Sequence, residues 1–533
     1  MSTQGRRARP LHVIIGLAAL LALAGLTAAC GRVSGDSPTV TPSSQATPMT
    51  LKVMEFNIEY GGTTVDFDKV VEAVRATDPD VVGLEEAETN TGRLARALGW
   101  KYYSNGMQLL SKYPILEPSG SDGLYVLIQV QPGACVAVSN VHLPSEDYGP
   151  HLIRVGKSAG AVVAGEERVR LPSIQKQLEV LPPLAEAGIP VFLMGDFNAP
   201  SHLDYTAAVV GTRDYVKYVV DWPVSEAVEA AGFADAWRTV YPDPLTSLGL
   251  TWWAARPRVG GWNPGPNTPQ DRIDFIYAAG PAKAVAGQLV GEKGGPEVTF
   301  AVTPWPSDHR AVVSTFAVTP GTLPTMVAAH ERLVTIGRPL EVTYHTPGWG
   351  GEKVELRPWG ADGLKYGAAD VSAPPLAEQA APAVDGTLTF ATAELAPGAY
   401  AVVLVGESRT SLAYTQVWLK AKGAKPELST DKPSYTQGEP IVVSWENAPV
   451  NRWDWLGVYK ASADDPAVDD YLIWQYSGGA ASGTMAGPPA GTLALDDTAW
   501  GEPWPLPAGK YVLYYLLADG YDAVASASFT VEK

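Results

Sequence analysis

A carboxylate next to an imidazole is the side-chain pair best suited to moving protons near neutral pH. Asp308 and His309 in WPSDHRAVV form such a pair, set just before the alternating run Ala311-Val312-Val313. Upstream, GDFNAP holds Asp196 and Asn198 two residues apart, so that on an extended backbone both face the same way. Asp274 lies in RIDFIYA, His142 in NVHLP, Glu86 in DVVGLEEAE and Asn57 at the end of LKVMEFNI. Glu86 with Asn57 offers hard oxygen ligands of the kind that suit Mg2+, with Mn2+ or Ca2+ as substitutes, and Asp308 could join them directly or through water. Taken singly, each cluster reads equally well as a turn or a cap, and His142 alone is an ordinary strand-end histidine.

What could bring them together is a set of strands. Leu51 to Ile58 alternates like an opening strand, Val81, Val82 and Leu84 form a short buried run, and Val136 to Val141 and Val191 to Met194 are further strands. Arg272 to Ala278 is another, with Asp274 among apolar neighbours. Helices are expected over Asp66 to Ala76, where Val70, Val71 and Val74 have helical spacing, over Asn90 to Leu98, and around Leu171 to Ala187. Alternating strands and helices predict an α/β domain whose polar residues gather at strand ends.

The chain of 533 residues is too long for one core, and 53 Gly and 45 Pro imply many turns and much β structure. Its first 29 residues read as a targeting segment: Arg6, Arg7 and Arg9, then the uncharged apolar stretch Leu11 to Leu26, then Thr27-Ala28-Ala29 before Cys30. This is similar to a bacterial lipoprotein signal, although Thr27 stands where an apolar residue is usual; an ordinary secretory signal or an uncleaved anchor is the alternative. On the lipoprotein reading Cys30 carries the lipid, residues 30–49 are a flexible tether, and the protein is extracytoplasmic, anchored to the membrane or cell surface. Removing residues 1–29 takes the formal charge from -18 to -21, which argues against a large basic nucleic-acid surface but leaves room for one local phosphate site. Cys135 is then the remaining cysteine, and with no partner it is expected to be a small buried residue.

The order NI, LEE, NVHL, GDFN, RIDF, SDH over about residues 50–318 resembles the endonuclease/exonuclease/phosphatase superfamily, which includes pancreatic-type deoxyribonuclease, neutral sphingomyelinases and inositol-polyphosphate 5-phosphatases. One departure is Glu85, where many members carry Gln, a change expected to place a second carboxylate beside Glu86. The resemblance implies a four-layer α/β/β/α sandwich with two mixed sheets and a metal-dependent phosphoesterase. It implies metal ligation by Asn57, Glu86 and Asp308, and catalytic roles for His142, Asp196, Asn198, Asp274 and His309. His309 would be the base oriented by Asp274, Asp196 would position or activate water, Asn198 would hold a phosphoryl oxygen, and His142 would contact phosphate or assist the leaving group. A phosphodiester is the preferred substrate, whether nucleic acid or phospholipid; an inositol phosphate is the nearest rival, and an inactive surface-binding protein is the alternative outside enzymology. Arg154, Arg168, Arg170 and His151 could meet a substrate phosphate, though solvated positions are expected, and Trp252, Trp253 and Trp262 could stack on a base or a lipid edge, though packing at the rim is expected.

Beyond Pro320 the chemistry-bearing clusters stop. TIGRPLEVTY from Thr335 parallels TQGEPIVVSW from Thr436, and LAPGAYAVVL from Leu395 parallels LPAGKYVLYY from Leu506. Two copies of a unit of about 100 residues predict two β-sandwich modules, over 320–420 and 424–533. The second, with Trp453, Asp454, Trp455 and Tyr459, resembles the immunoglobulin-like modules of secreted hydrolases, whose aromatics dock a polymer or surface or, more simply, fill a core.

Overall fold

The computed structural model describes residues 46–259, 263–265, 267–359, 374–479 and 487–533. The expected signal, Cys30, most of the tether and Trp262 lie outside the described residues. Among the described residues no helix is long and apolar enough to cross a membrane.

The first half is a four-layer α/β/β/α sandwich. Strand Met49–Asn57 lies between the antiparallel strand Ala311–Val318 and the parallel strand Val81–Glu85 in one seven-stranded sheet. In the second sheet Ala134–His142 runs parallel to Val191–Asp196, which pairs antiparallel with Asp274–Ala279. Both sheets are buried on both faces, so their strands read as near-continuous apolar runs. Alternation nonetheless separates the layers. Leu51, Val53, Val136, Val138, Phe192, Met194 and Phe316 meet between the sheets. Met54, Phe56, Val82 and Leu84 pack instead under helix Phe67–Thr77, whose N-cap Asp66 accepts from the Asp68 N–H. The outer face of the second sheet is covered by Leu171–Val180 and Pro223–Ala230.

Phe192 and Phe316 join the two sheets, edge to face at 4.8 Å. Phe316→Ala is expected to cost about 3–5 kcal/mol, because the cavity opens between two rigid sheets that cannot collapse onto it. Thermal unfolding of the purified chain checks this; an unchanged Tm would show that the inter-sheet layer is not the limiting core.

After Val318 the chain is all β. Gly321–Thr322 still pairs with Cys135 and Ala134 of the first domain. Strands between Met326 and Lys420 then form a three-stranded and a five-stranded sheet packed through Val342, Tyr344, Leu356 and Val402. Strands between Glu427 and Glu532 repeat the plan with three and six strands around Trp445, Leu456, Leu513 and Tyr515. Thus α/β is followed by all-β, as the sequence predicts. The stretch after NVHL differs from expectation, since it holds helices Gly149–Arg154 and Ala159–Val169 as well, and the helix foreseen around Leu171 to Ala187 is broken at Leu181 where Pro182 and Pro183 begin a new one.

Candidate active site

Strand register builds the site. His142 stands opposite Asp196 across the parallel pair, and Asp196 stands opposite Asp274 across the antiparallel pair. All three continue the inward-facing series of Val138, Met194 and Ile276, so they close the inter-sheet layer at one end as a row. The row depends on Gly195, which has φ +142° and whose added Cβ would lie 1.8 Å from the Val141 carbonyl oxygen. No other residue lets these two strands approach so closely. From the facing sheet come Asn57 at a strand end, Glu86 one residue past Val81–Glu85, and Asp308-His309 just before Ala311–Val318.

Asp274 holds the His309 ring, both carboxylate oxygens lying 3.0 Å from Nδ1. Nε2 is thereby aimed at Asp196, whose Oδ2 is 3.7 Å away. The same Oδ2 is 3.7 Å from His142 Nε2, so one carboxylate sits between two imidazoles. Asn198, with φ +48°, donates its backbone N–H to Asp196 Oδ1 at 2.8 Å and its side-chain N–H to the Leu143 carbonyl at 2.9 Å. Burial opposes a charged His309, but Asp274, Asp196 and Asp308 outweigh it and raise the ring well above its ordinary value. His142 rises to about 10: burial works against its charge, while the hydrogen bond to Asp519 and the field of Asp196 favour it. Asp196 is raised to about 6, by burial first and then by the Asp274 charge.

On the other side, Asn57 donates its amide N–H to Glu86 Oε1 at 3.2 Å and to Asp196 Oδ2 at 3.1 Å, while its oxygen accepts from the Glu59 N–H at 3.0 Å. Asn57 therefore ties the two sheets' carboxylates together. Asp308 Oδ2 accepts from Trp252 Nε1 at 3.2 Å, and its backbone N–H donates to Glu59 Oε2. Burial and then the Asp308 charge raise Glu59 to about 7, although Arg256 is paired with it. Asp308 is raised by burial and by Glu86, with the His309 charge acting against the shift. Three carboxylates thus share a corner with Arg256 and one imidazole. Such an oxygen-rich, charge-heavy corner fits a hard divalent cation. Asp196, Asp274 and His309 also bring ligand-type atoms within 4.8 Å of one another. An ion held by all three would have to break the His309–Asp274 bonds, so this trio is better suited to proton handling and the Glu86–Asp308 corner to the metal.

The structure brings all eight residues singled out in the sequence into this one region, and it corrects several neighbours. Glu85 does not stand beside Glu86; alternation turns it into the inter-sheet layer, where it meets Glu55. Arg170 is not solvated but fully buried, paired with Glu166 at 2.7 Å. Trp252 is more than rim packing, because its indole N–H fixes Asp308. Sequence reading missed Glu59, Arg256 and Asp519, whose Oδ2 lies 3.3 Å from His142 Nδ1. Spacing carries no trace of a contact 377 residues apart; the NIEY run did contain Glu59 two residues past Asn57.

The α/β domain is thus a four-layer sandwich with an imidazole–carboxylate–imidazole row at its open end. Residues 54–309 match the model of the Endonuclease/Exonuclease/phosphatase family, and the α/β domain is similar to that family. The chain is 29% identical over 304 residues to an uncharacterised protein of Caenorhabditis elegans, covering 51% of this chain and 93% of that one. Among solved structures it is similar to an endonuclease/exonuclease/phosphatase from Beutenbergia cavernae, at 18% identity and TM-score 0.31, covering 69% of this chain and 100% of the other. It is also similar to D. rerio TDP2 complexed with a single-strand DNA product, at 16% identity and TM-score 0.31, covering 50% and 99%.

Proposed function

We propose that the α/β domain hydrolyses a phosphodiester by in-line attack of water, with Asp196 as the base and the His142 and His309 imidazoliums flanking the phosphate. The observation that carries this reading is the position of Asp196 Oδ2, 3.7 Å from both Nε2 atoms. A carboxylate raised to about 6 is ionised at neutral pH yet basic enough to take a proton from water. The two rings, both raised, are cationic there: His309 neutralises a phosphoryl oxygen, and His142 gives its Nε2 proton to the departing oxygen. Asn198 orients Asp196 through its backbone N–H, and Asp274 holds the His309 ring in register. Glu86 and Asp308 would hold a divalent cation, Mg2+ or in its place Mn2+ or Ca2+, with the Asn57 amide beside them. When bound, that cation would supply charge neutralisation on the phosphate.

The pH profile tests the assignment of the base. Asp196 must be deprotonated to act, so kcat/KM on bis(p-nitrophenyl) phosphate should rise with pH through about 6 and fall again on the alkaline side as His142, near 10, loses its proton. Asp196→Asn should abolish the acid limb together with most of the rate. An acid limb that survives in Asp196→Asn would assign the base elsewhere. A chelator should remove activity and added Mg2+ or Mn2+ restore it in the wild type, with no restoration in Glu86→Ala; activity indifferent to both would overturn the metal reading and leave the row intact.

We further propose an extracytoplasmic protein held to a membrane through lipidated Cys30, supported by the basic, apolar and small-residue order of its first 29 residues. Cys30→Ser should then move the protein from the membrane fraction to the soluble one, and an unaltered distribution would refute the anchor.

A further inference from the structure

His142 and His309 face Asp196 with the same ring atom, and each has its other ring nitrogen on a carboxylate. For His309 that carboxylate is Asp274, from the α/β domain itself. For His142 it is Asp519 of the second β-sandwich, with Oδ2 3.3 Å from Nδ1. Among the described residues no carboxylate of the α/β domain reaches that nitrogen.

Asp519 is held in place from several sides. The hairpin after strand Gly509–Leu516 carries Ala518 and Asp519 in left-handed conformations, φ +49° and +64°, a strain that must be held from outside. Asp454 accepts the Ala518 N–H at 2.9 Å, and the Trp453 carbonyl accepts the Asp519 N–H at 2.8 Å. Tyr476 OH donates to Asp519 Oδ1 at 2.6 Å, which leaves Oδ2 to His142. The α/β domain grips the same hairpin through Gln108, whose side-chain N–H donates to the Ala518 carbonyl at 3.4 Å. Arg452, 2% exposed, donates in the other direction to the Asn140 carbonyl, two residues before His142.

The turn itself does not ask for a carboxylate. Asn or Gly serves a left-handed position as well as Asp does. The first copy has Ser408 at the matching place, in the hairpin after strand Gly398–Val405. Asp519 also enters a corner that already holds Glu86 and Glu88, around a cavity of about 200 Å³ that Trp474 and Tyr521 line from the sandwich side. Like charges repel there, and a cationic imidazole is the group that makes a further carboxylate favourable.

We propose that Asp519 is a positioning residue of the catalytic row, so that the second β-sandwich completes the active site. This rests on the phosphodiesterase reading above. By accepting the Nδ1 proton in a hydrogen bond, Asp519 fixes the ring with its Nε2 proton toward the departing ester oxygen. As the P–O bond breaks, that oxygen takes the Nε2 proton and the ring is left neutral, with Nδ1–H still on Asp519. The proton that Asp196 took from water then returns to Nε2 across 3.7 Å, and Asp519 exchanges none.

Ethyl phenyl phosphate and ethyl p-nitrophenyl phosphate test this, because phenoxide departs poorly unless protonated whereas p-nitrophenoxide departs readily without a proton. Asp519→Asn keeps a residue suited to the left-handed turn and removes the charge. It should lower kcat about 10–100-fold on the phenyl ester and less than about threefold on the p-nitrophenyl ester. Tyr476→Phe, which releases the other Asp519 oxygen, should act in the same sense and more weakly. In a His142→Gln background the extra loss on the phenyl ester should disappear. Equal losses on both esters, no loss on either, or a loss that persists without His142 would overturn the proposal. Proton NMR of the full chain reads the pair without turnover. The downfield Nδ1 proton of His142, identified by its absence in His142→Gln, should be present in wild type and lost in Asp519→Asn; the same signal unchanged in Asp519→Asn would overturn the pairing. Where wild type hydrolyses neither ester and the signal behaves as expected, the reaction assignment alone fails and the pairing stands.

Discussion

Asp274→Asn is expected to lower kcat about 10³–10⁴-fold with the fold retained. The carboxylate of Asp274 meets His309 Nδ1 through both oxygens, so the ring is oriented and its cation stabilised by one side chain. An amide keeps the shape and loses both effects. It can turn its NH2 toward Nδ1, which forces the ring proton onto Nε2 in a neutral imidazole and removes the positive charge facing Asp196. Removing the Asp274 charge also lowers the cost of ionising Asp196, since that charge is part of what raises it. Losing the His309 charge acts in the opposite direction on Asp196, so the plateau should collapse while the acid limb changes little. Stopped assays over pH 4 to 10, with circular dichroism to verify folding, measure both; a loss under about tenfold would mean that His309 does not work through Asp274.

Arg452→Leu should destabilise the chain by about 2–5 kcal/mol, a large effect for a residue outside the catalytic domain. Its guanidinium is buried against Asn140 and Gln177, and burial alone lowers it to about 10, so the protein bears a desolvation cost to keep it there. Leucine fills part of the volume but leaves the Asn140 carbonyl without that donor at an interface closed to water. The Asn140 side chain bridges to the Leu84 carbonyl of the other sheet, so the disturbance reaches the strands that carry both His142 and Glu86. Thermal unfolding should show a lower or split transition, and proteolysis should open the connection between Lys420 and Glu427. An unchanged melt would show that the sandwich rests on the enzyme without being coupled to it.

Much of this was legible in the residue pattern because period-two alternation and strand-end polarity are local properties. Asn57, His142, Asp196 and Asp274 lie at inward-facing strand positions, and the helix expected over Asp66 to Ala76 runs Phe67–Thr77 with Asp66 as its cap. What escaped was set by pairings distant in sequence. Nothing in LADGYD tells that Asp519 will reach His142, and the buried aromatics of the second copy, Trp453 at 2% and Trp455 at 5% exposure, conceal that Trp474 and Tyr521 face the cleft. The helices after NVHL escaped for a different reason: Gly156, Gly160 and Gly165 weaken the helical signal, and the neighbouring Pro residues hide where each segment starts.

Glu55 and Glu85 lie beneath the catalytic row, both fully enclosed between the sheets. Burial, then the field of Asp274, raises Glu55 well above the carboxylate range, and burial raises Glu85 to about 8. None of their four carboxylate oxygens has a hydrogen-bond partner among the described residues. A raised carboxyl favours the folded state most below its unfolded value, and that contribution drains away as pH climbs toward the folded one. The protein therefore carries an alkaline ceiling inside its own floor: it should melt highest in mild acid and lose thermal tolerance from about pH 5 to about 8, the range in which Asp196 ionises. Glu55→Gln, by sparing one of the two ionisations, should flatten that decline, and the cost of working near neutrality would then be read directly as the difference between the two melting curves.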